Sequence, residues 1–287
     1  MIARAVLIAV AALALAATAL LAFIRYELRP RRASLDPAAT ELPVEPVVIP
    51  SSSGARLAGW HLPAGGRGAV LLLHGLKSNR LVLVDRMRFL RDAGYSTLAI
   101  DFQAHGESTG DLITLGRLES LDARSALAWL RARLPGEPVA VLGISMGGAA
   151  VLIGPTIDAD AVVVESVGPD FAEAVSNRLA LAIGPIGRLL TPFALGAIRI
   201  AAGIDASGLR PIDGIARLHK PIFVMTGAED QKTTVAEARE MFAAAHPPKR
   251  YWETPGAQHW DLAFSGGQAY RERLLDFLHS TLRSPPH

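Results

Sequence analysis

The stretch Gly143-Ile144-Ser145-Met146-Gly147-Gly148 carries a serine with glycine two positions before it and two after it, directly behind the apolar run Pro138-Val139-Ala140-Val141-Leu142. This is the GxSxG pattern of a nucleophile elbow, a tight strand-to-helix turn that pushes a serine hydroxyl outward. Side chains two residues either side would crowd such a turn, and its strained backbone favours glycine. The following helix brings unbonded N–H groups and a positive dipole end beneath the serine, where an oxyanion would form. The motif alone is short enough to arise by chance, so its context has to carry the argument.

A serine hydroxyl needs a base to take its proton, and the base needs a carboxylate to hold its tautomer. Both should therefore lie downstream of Ser145, each at the end of a strand. The apolar run Ile222 to Thr226 leads into Gly227-Ala228-Glu229-Asp230, and the run Arg250 to Glu253 leads into Pro255-Gly256-Ala257-Gln258-His259. The order serine, acid, histidine is the one that accompanies this kind of elbow. Asp230 and His259 are the candidates. Glu229 is adjacent to Asp230, and Glu165, ending the run Ala161 to Val164, is a competing carboxylate. The other histidines read as structural or solvated: His61, His74, His219, His246, His279 and His287 do not fit the base position. Two oxyanion donors are expected from the main-chain N–H groups of Met146 and of Leu76, the latter in the His74-Gly75-Leu76 segment behind the strand Ala69 to Leu73.

The elements that must position these residues follow from periodicity. A hairpin is predicted from Val44 to Ile49 and Arg56 to Leu62. Strands and helices then alternate: strand Ala69–Leu73, helix Arg80–Asp92, strand Ser96–Ile100, helix Leu115–Leu134, the strand before Ser145, a helix from Met146 and strand Ala161–Val164. Two further units follow, strand Ile222–Thr226 with helix Val235–Ala245 and strand Arg250–Glu253 with helix Gln268–Leu282. Such alternation implies an α/β fold, a mostly parallel, doubly wound sheet with an antiparallel hairpin at one edge. Residues 168–215 break the rhythm with apolar helical spacing interrupted by Gly184-Pro185 and Pro192. They read as a small helical cap over the strand ends, where ligands bind in such sheets; the alternative is an ordinary pair of surface helices.

Ahead of this domain, residues 5–24 form an unbroken apolar run bounded by Arg4 and Arg25. At 1.5 Å per residue it covers about 30 Å, the thickness of a bilayer core. Residues 1–29 are thus expected to be an N-terminal transmembrane helix, with a signal peptide cleaved near Ala17-Thr18-Ala19 as the competing reading. Arg25, Arg29, Arg31 and Arg32 favour a cytoplasmic C-terminal flank, opposed by Arg4 and the α-amino group. Residues 30–43 are expected to be a linker and 44–287 the enzyme domain. The chain has 287 residues, no cysteine and a formal net charge of +2, which excludes disulfides and thiolate chemistry. Its basic residues do not interleave with aromatics as in a nucleic-acid surface, so no nucleic-acid partner is expected.

From about Val44 onward the sequence resembles the α/β-hydrolase superfamily, in particular its peptidase, esterase and lysophospholipase-like serine hydrolases. The resemblance rests on His74-Gly75, the loop Asp101-Phe102-Gln103-Ala104-His105-Gly106-Glu107-Ser108, Gly143 to Gly148, Gly227 to Asp230 and Gly256 to His259. It implies Ser145 as nucleophile, His259 as general base and then acid, and Asp230 as the orienting carboxylate, with no metal or organic cofactor. The Asp101 loop departs from the DxRGxGxS form of relatives, having Gln103, Ala104 and His105; His105 is read as a turn residue, or else as lining the entrance. The expected function is hydrolysis of an ester, thioester or amide of a small-molecule or lipid-like acyl substrate, with an apolar acyl group favoured by the apolar cap and the adjoining membrane helix. The alternatives are a non-catalytic binding protein on the same fold, or an acyltransferase or cofactor-free peroxidase using the same triad.

Overall fold

A computed structural model describes residues 2–260 and 262–282. Its centre is an eight-stranded sheet formed by β2 (Glu45–Pro50), β3 (Arg56–Leu62), β4 (Ala69–Leu73), β5 (Ser96–Ile100), β7 (Val139–Ile144), β8 (Ala161–Glu165), β9 (Ile222–Gly227) and β10 (Lys249–Thr254), in the spatial order β10-β9-β8-β7-β4-β5-β3-β2. All pairings from β10 to β5 are parallel, while β3 runs antiparallel to both β2 and β5. Two-residue strands β1 (Arg31–Arg32) and β6 (His105–Gly106) form a separate parallel pair.

The strands read as continuous apolar runs because both faces are covered. Side chains alternate across the sheet. Leu71, Val141, Val162 and Val224 point into one core, under α3 (Glu119–Arg133), α4 (Met146–Leu152), α7 (Pro211–Arg217) and α8 (Val235–Ala244). Leu72, Leu142, Val163 and Phe223 point into the other, under α2 (Val84–Asp92) and α9 (Leu262–Thr281). The chain passes from β4 to β5 on one side and then to β7 on the other side of β4. The crevice between the carboxyl ends of β4 and β7 is therefore the topological switch point, where this architecture binds ligands.

Helix starts differ from the periodicity reading where a side chain has seized the backbone. The helix expected from Leu115 begins at Glu119, because the Glu119 carboxylate accepts from Thr114 N, Thr114 Oγ1 and Gly116 N at 2.8, 2.6 and 2.9 Å and holds residues 114–118 in a loop. The helix expected from Arg80 opens with a 3-10 turn, Arg80–Leu83. There Arg80 N donates to Asp101 Oδ1 at 2.7 Å, and its guanidinium bridges Asp101 and Glu107. The last helix is broken at Gly267 (φ 50°), so its regular part starts at the expected Gln268.

Between β8 and α7, α5 (Phe171–Ile183) and α6 (Thr191–Ala202) are joined by a 3-10 turn, Pro185–Leu190. Asp170 caps α5, its Oδ1 accepting from Glu173 N at 2.8 Å. α7 packs on the sheet layer: a Cβ at Gly214 would sit 1.8 Å from Leu152 O of α4. The segment standing apart from the sheet is accordingly shorter than the expected 168–215 and ends near Leu209.

The N-terminal helix α1 (Ile2–Glu27) has 26 residues and, by length and composition, can cross a membrane; a signal sequence meets the same description. Its last turns do not stand clear of the domain. Ile24 and Leu28 are buried in one cluster with Ala197, Ile198 and Ala201 of α6. Residues 30–43, expected as a linker, are docked as well. Arg31 N donates to Ala104 O at 2.7 Å, Ala33 N to Gly106 O at 3.1 Å, and Ile113 N to Leu28 O at 2.8 Å. These partners lie in an irregular loop distant in sequence, which periodicity cannot register.

Candidate active site

Ser145 joins β7 to α4 with φ 51° and ψ −115°, in the left-handed region that a non-glycine residue adopts only under constraint. Its neighbours explain how the turn fits. A Cβ at Gly143 would lie 2.5 Å from Gly148 N; one at Gly147 would lie 2.6 Å from both Leu73 O and His74 O; and one at Gly148 would lie 2.5 Å from Val167 Cγ2. The turn is fixed from the other side by Ser145 N donating to Glu165 O at 2.7 Å.

The three expected side chains meet. Ser145 Oγ is 2.9 Å from His259 Nε2, and His259 Nδ1 is 2.8 Å from Asp230 Oδ2. Asp230 follows β9 and His259 follows β10, so neighbouring parallel strands deliver them to the same sheet end as Ser145. Asp230 Oδ1 accepts from Lys232 N and Thr233 N, both at 2.9 Å, leaving Oδ2 to the imidazole. His259 and Asp230 are both buried. A carboxylate held by two main-chain donors and aimed at Nδ1 directs the Nε2 lone pair at the serine, the arrangement needed to draw off the Oγ proton.

The competing carboxylates lie elsewhere. Glu229 is exposed. Glu165 is buried behind the site, where its Oε2 accepts from Arg86 at 2.7 Å and its Oε1 from the Tyr270 hydroxyl at 2.5 Å. This closed network ties β8 to α2 and α9. Burial opposes the Arg86 charge, yet the adjacent Glu165 carboxylate outweighs it and holds the guanidinium pKa above its ordinary value.

Met146 opens α4, so its N–H has no intrahelical acceptor. Leu76 follows β4, and its N–H takes no part in the main-chain hydrogen bonds of its loop. Both residues border the cavity beside Ser145. The loop is held by two histidines. His74 Nε2 accepts from Phe102 N at 3.1 Å, its Nδ1 donates to Gly75 O at 2.7 Å, and burial together with His105 pushes its pKa down to about 3. His105 Nε2 accepts from Lys77 N at 3.2 Å while Nδ1 donates to Gln103 O at 2.9 Å, and burial lowers its pKa too. His105 is fully buried. It serves the turn and not the entrance, the first of the two readings its position allowed.

Gln103, at the arginine position of the DxRGxGxS form, is buried and donates from Nε2 to Leu112 O at 2.6 Å and to Glu119 Oε1 at 3.2 Å. A neutral amide thus bridges the two segments of this loop. Among the described residues no cluster of His, Cys, Asp and Glu could hold a metal ion.

Two cavities meet at Ser145. One, about 550 Å³ including its open mouth, has a mainly apolar wall that includes Leu115, Met146, Ile153, Phe171 and Leu209. The other lies on the His259 side and is bordered by Arg178, Lys232 and Trp260. These last three were not anticipated from the sequence. Arg178 is a lone cation in an apolar helical run and Lys232 stands two places after Asp230, the signals that could have drawn attention to them.

Comparisons with known proteins agree with the fold. The serine aminopeptidase (S33) family model matches residues 65–168, from just before β4 to just after β8. An esterase of Pyrococcus furiosus superposes with a TM-score of 0.74 over 90% of this chain and 99% of its own, at 22% identity. The α/β-hydrolase domain-containing protein WAV2 of Arabidopsis thaliana is 26% identical over 258 residues, 85% of this chain and 81% of its own. The chain has the α/β-hydrolase fold. The chain is also similar along nearly its whole length to an uncharacterized protein of Mycobacterium tuberculosis, 28% identical over 283 residues, 95% of this chain and 94% of the relative.

Proposed function

We propose that the protein is a membrane-tethered serine hydrolase that cleaves an ester, thioester or amide bond carrying an apolar acyl group. The observation that carries this reading is the continuous relay from Ser145 Oγ through His259 to Asp230, at 2.9 and 2.8 Å. In the first half-reaction His259 Nε2 takes the Oγ proton as Oγ bonds to the carbonyl carbon, and the oxyanion accepts from the N–H groups of Leu76 and Met146. His259 then gives that proton to the leaving group as its bond to carbon breaks, leaving an acyl ester on Ser145. Water, activated by the same imidazole, releases the acid. Asp230 stays ionised throughout and stabilises the imidazolium. The acyl group would lie in the apolar cavity, whose wall includes Phe171 of α5.

A membrane setting is supported by two features that adjoin. α1 has the length of a span, and α6, packed on its end, is apolar on nearly all sides. Leu181, Ile183, Ile186, Leu189, Phe193 and Ile200 of the α5–α6 region are exposed. A helix that is apolar all round belongs in a protein core or in lipid, and these side chains have no core to enter. The esterase activity named for the Pyrococcus furiosus neighbour fits the same chemistry.

The reading is tested by a fluorophosphonate probe applied to the full chain in neutral detergent, wild type beside Ser145→Ala. Serine-dependent labelling, with hydrolysis of nitrophenyl acyl esters that the variant lacks, is the expected result. Folded wild-type protein that takes no label would refute it.

A further inference from the structure

Ser145 borders both cavities, and Arg178 lies in the wall of each. His259, the group that would protonate a leaving group, borders the second cavity and not the apolar one. The leaving group therefore departs into a space whose charged wall residues, among the described residues, are Lys77, Arg86, Arg178 and Lys232, none of them acidic.

Two of these cations are neutralised within the fold. Arg86 is paired with Glu165 and Lys77 with Glu27 at the end of α1. Arg178 and Lys232 differ: among the described residues neither forms an ion pair. The Arg178 guanidinium donates to Ala174 O one turn back, at 2.7 Å, and Lys232 Nζ rests 4.1 Å from the centre of the Trp260 ring. The carboxylates whose charge reaches Arg178 are Asp230 and Glu237. Asp230 is held by His259, Lys232 N and Thr233 N, and Glu237 by Thr234 and Asn177. Neither is available to the cations. Burial, and then repulsion by Arg178, lowers the Lys232 pKa. Two like charges bordering one reaction cavity are relieved when an anion enters between them. Guanidinium with ammonium is also a donor set suited to phosphate or carboxylate oxygens.

We propose that Arg178 and Lys232 form an anion subsite on the leaving-group side of Ser145, and that the substrate is an acyl ester or thioester whose leaving group carries a phosphate or carboxylate. The words "leaving group" rest on the function proposed above; binding of an anion between these two side chains does not. The substrate is then an amphiphile, with its acyl chain among Phe171, Ile153 and Leu209 and its anion some way past the scissile bond toward Trp260.

Two measurements on the full chain in neutral detergent test this. In the first, a nitrophenyl octanoate is compared with its ring-carboxylated analogue, which shares the acyl chain and adds an anion to the leaving group. In Arg178→Gln and Lys232→Gln the preference for the anionic ester, as a ratio of kcat/KM values, is expected to fall about tenfold for each cation removed. A ratio unchanged from wild type in the double variant overturns the proposal. In the second, dodecyl phosphate and inorganic phosphate are titrated by tryptophan fluorescence into Ser145→Ala, which cannot turn over substrate. Saturable binding of dodecyl phosphate that the double substitution abolishes supports the subsite. No binding overturns it, and inorganic phosphate binding as tightly as the amphiphile overturns its assignment to the leaving group. If wild type cleaves neither ester while dodecyl phosphate still binds, the subsite stands and the nucleophile reading fails.

Discussion

Gly147→Ala puts the geometry of the elbow to a quantitative test. The added Cβ would lie 2.6 Å from Leu73 O and His74 O and 2.9 Å from Leu73 C, all main-chain atoms at the end of β4. Contacts of this kind are tight already at 3.0–3.4 Å, so β4 and α4 must part by about 0.4 to 0.8 Å. Leu76 follows β4 and Met146 precedes Gly147, so this separation pulls the two proposed oxyanion donors apart. The relay from Ser145 to Asp230, which runs toward β9 and β10, is left in register. A displacement approaching 1 Å in a positioned group costs up to about 100-fold in rate, and loss of one oxyanion donor costs about 100- to 1,000-fold. kcat on a soluble nitrophenyl ester is therefore expected to fall about 100-fold, with a stability loss of about 1 to 3 kcal/mol from overpacking. The assay compares ester turnover and the rate of fluorophosphonate labelling with urea unfolding, beside Gly196→Ala, where a Cβ meets nothing within 4 Å. Folded Gly147→Ala with wild-type turnover would refute the steric account and the donor assignment together.

Four other outcomes are expected. Asp230→Asn leaves His259 without the carboxylate that fixes its tautomer and should reduce kcat by about 10⁴-fold while unfolding stays close to wild type; a loss below tenfold would transfer the role to another acid. Glu165→Gln leaves Arg86 buried without its counter-charge and should cost about 3 kcal/mol in urea unfolding, with fluorophosphonate labelling retained in the folded fraction; a variant as stable as wild type contradicts the ion pair. His74 has a folded pKa of about 3 against about 6.5 when unfolded, so the unfolded chain binds more protons in between. The stability from this depression is complete above about pH 6.5 and is lost as pH falls toward 3, about 2 kcal/mol by pH 5. His74→Gln should lessen the difference between urea midpoints at pH 7.5 and pH 5, and an unchanged difference would exclude His74 as its source. Since the chain has no cysteine, Phe193→Cys and Asp158→Cys can each be spin-labelled singly in bilayer discs. The label at 193 is expected to meet lipid-soluble oxygen and the one at 158, beyond the opposite end of the sheet, to meet water; equal water exposure would remove the lipid contact of α6.

Sequence by itself determined whatever depends on neighbours along the chain. The alternation of apolar runs and helical spacing defined a parallel sheet with an antiparallel edge, because burial on two faces leaves a mark in each strand. Gly143, Gly147 and the serine between them announced the elbow, since its backbone tolerates no larger residues there. The order of Ser145, Asp230 and His259, each behind a strand, put them at one end of the sheet before any contact was known. Through-space relations were decided by the tertiary structure. Glu165 ends β8 and Asp230 follows β9, both at the serine's end of the sheet, and what separates them is that Arg86 and Tyr270, from two distant helices, occupy Glu165. The docking of residues 30–43 rests on main-chain bonds to an irregular loop, which carry no side-chain period. The charge of the cavity bordered by Arg178 and Lys232 follows from which cations found carboxylates among the described residues and which did not, and pairing across the fold is a matter of distance in space, to which spacing in sequence gives no access.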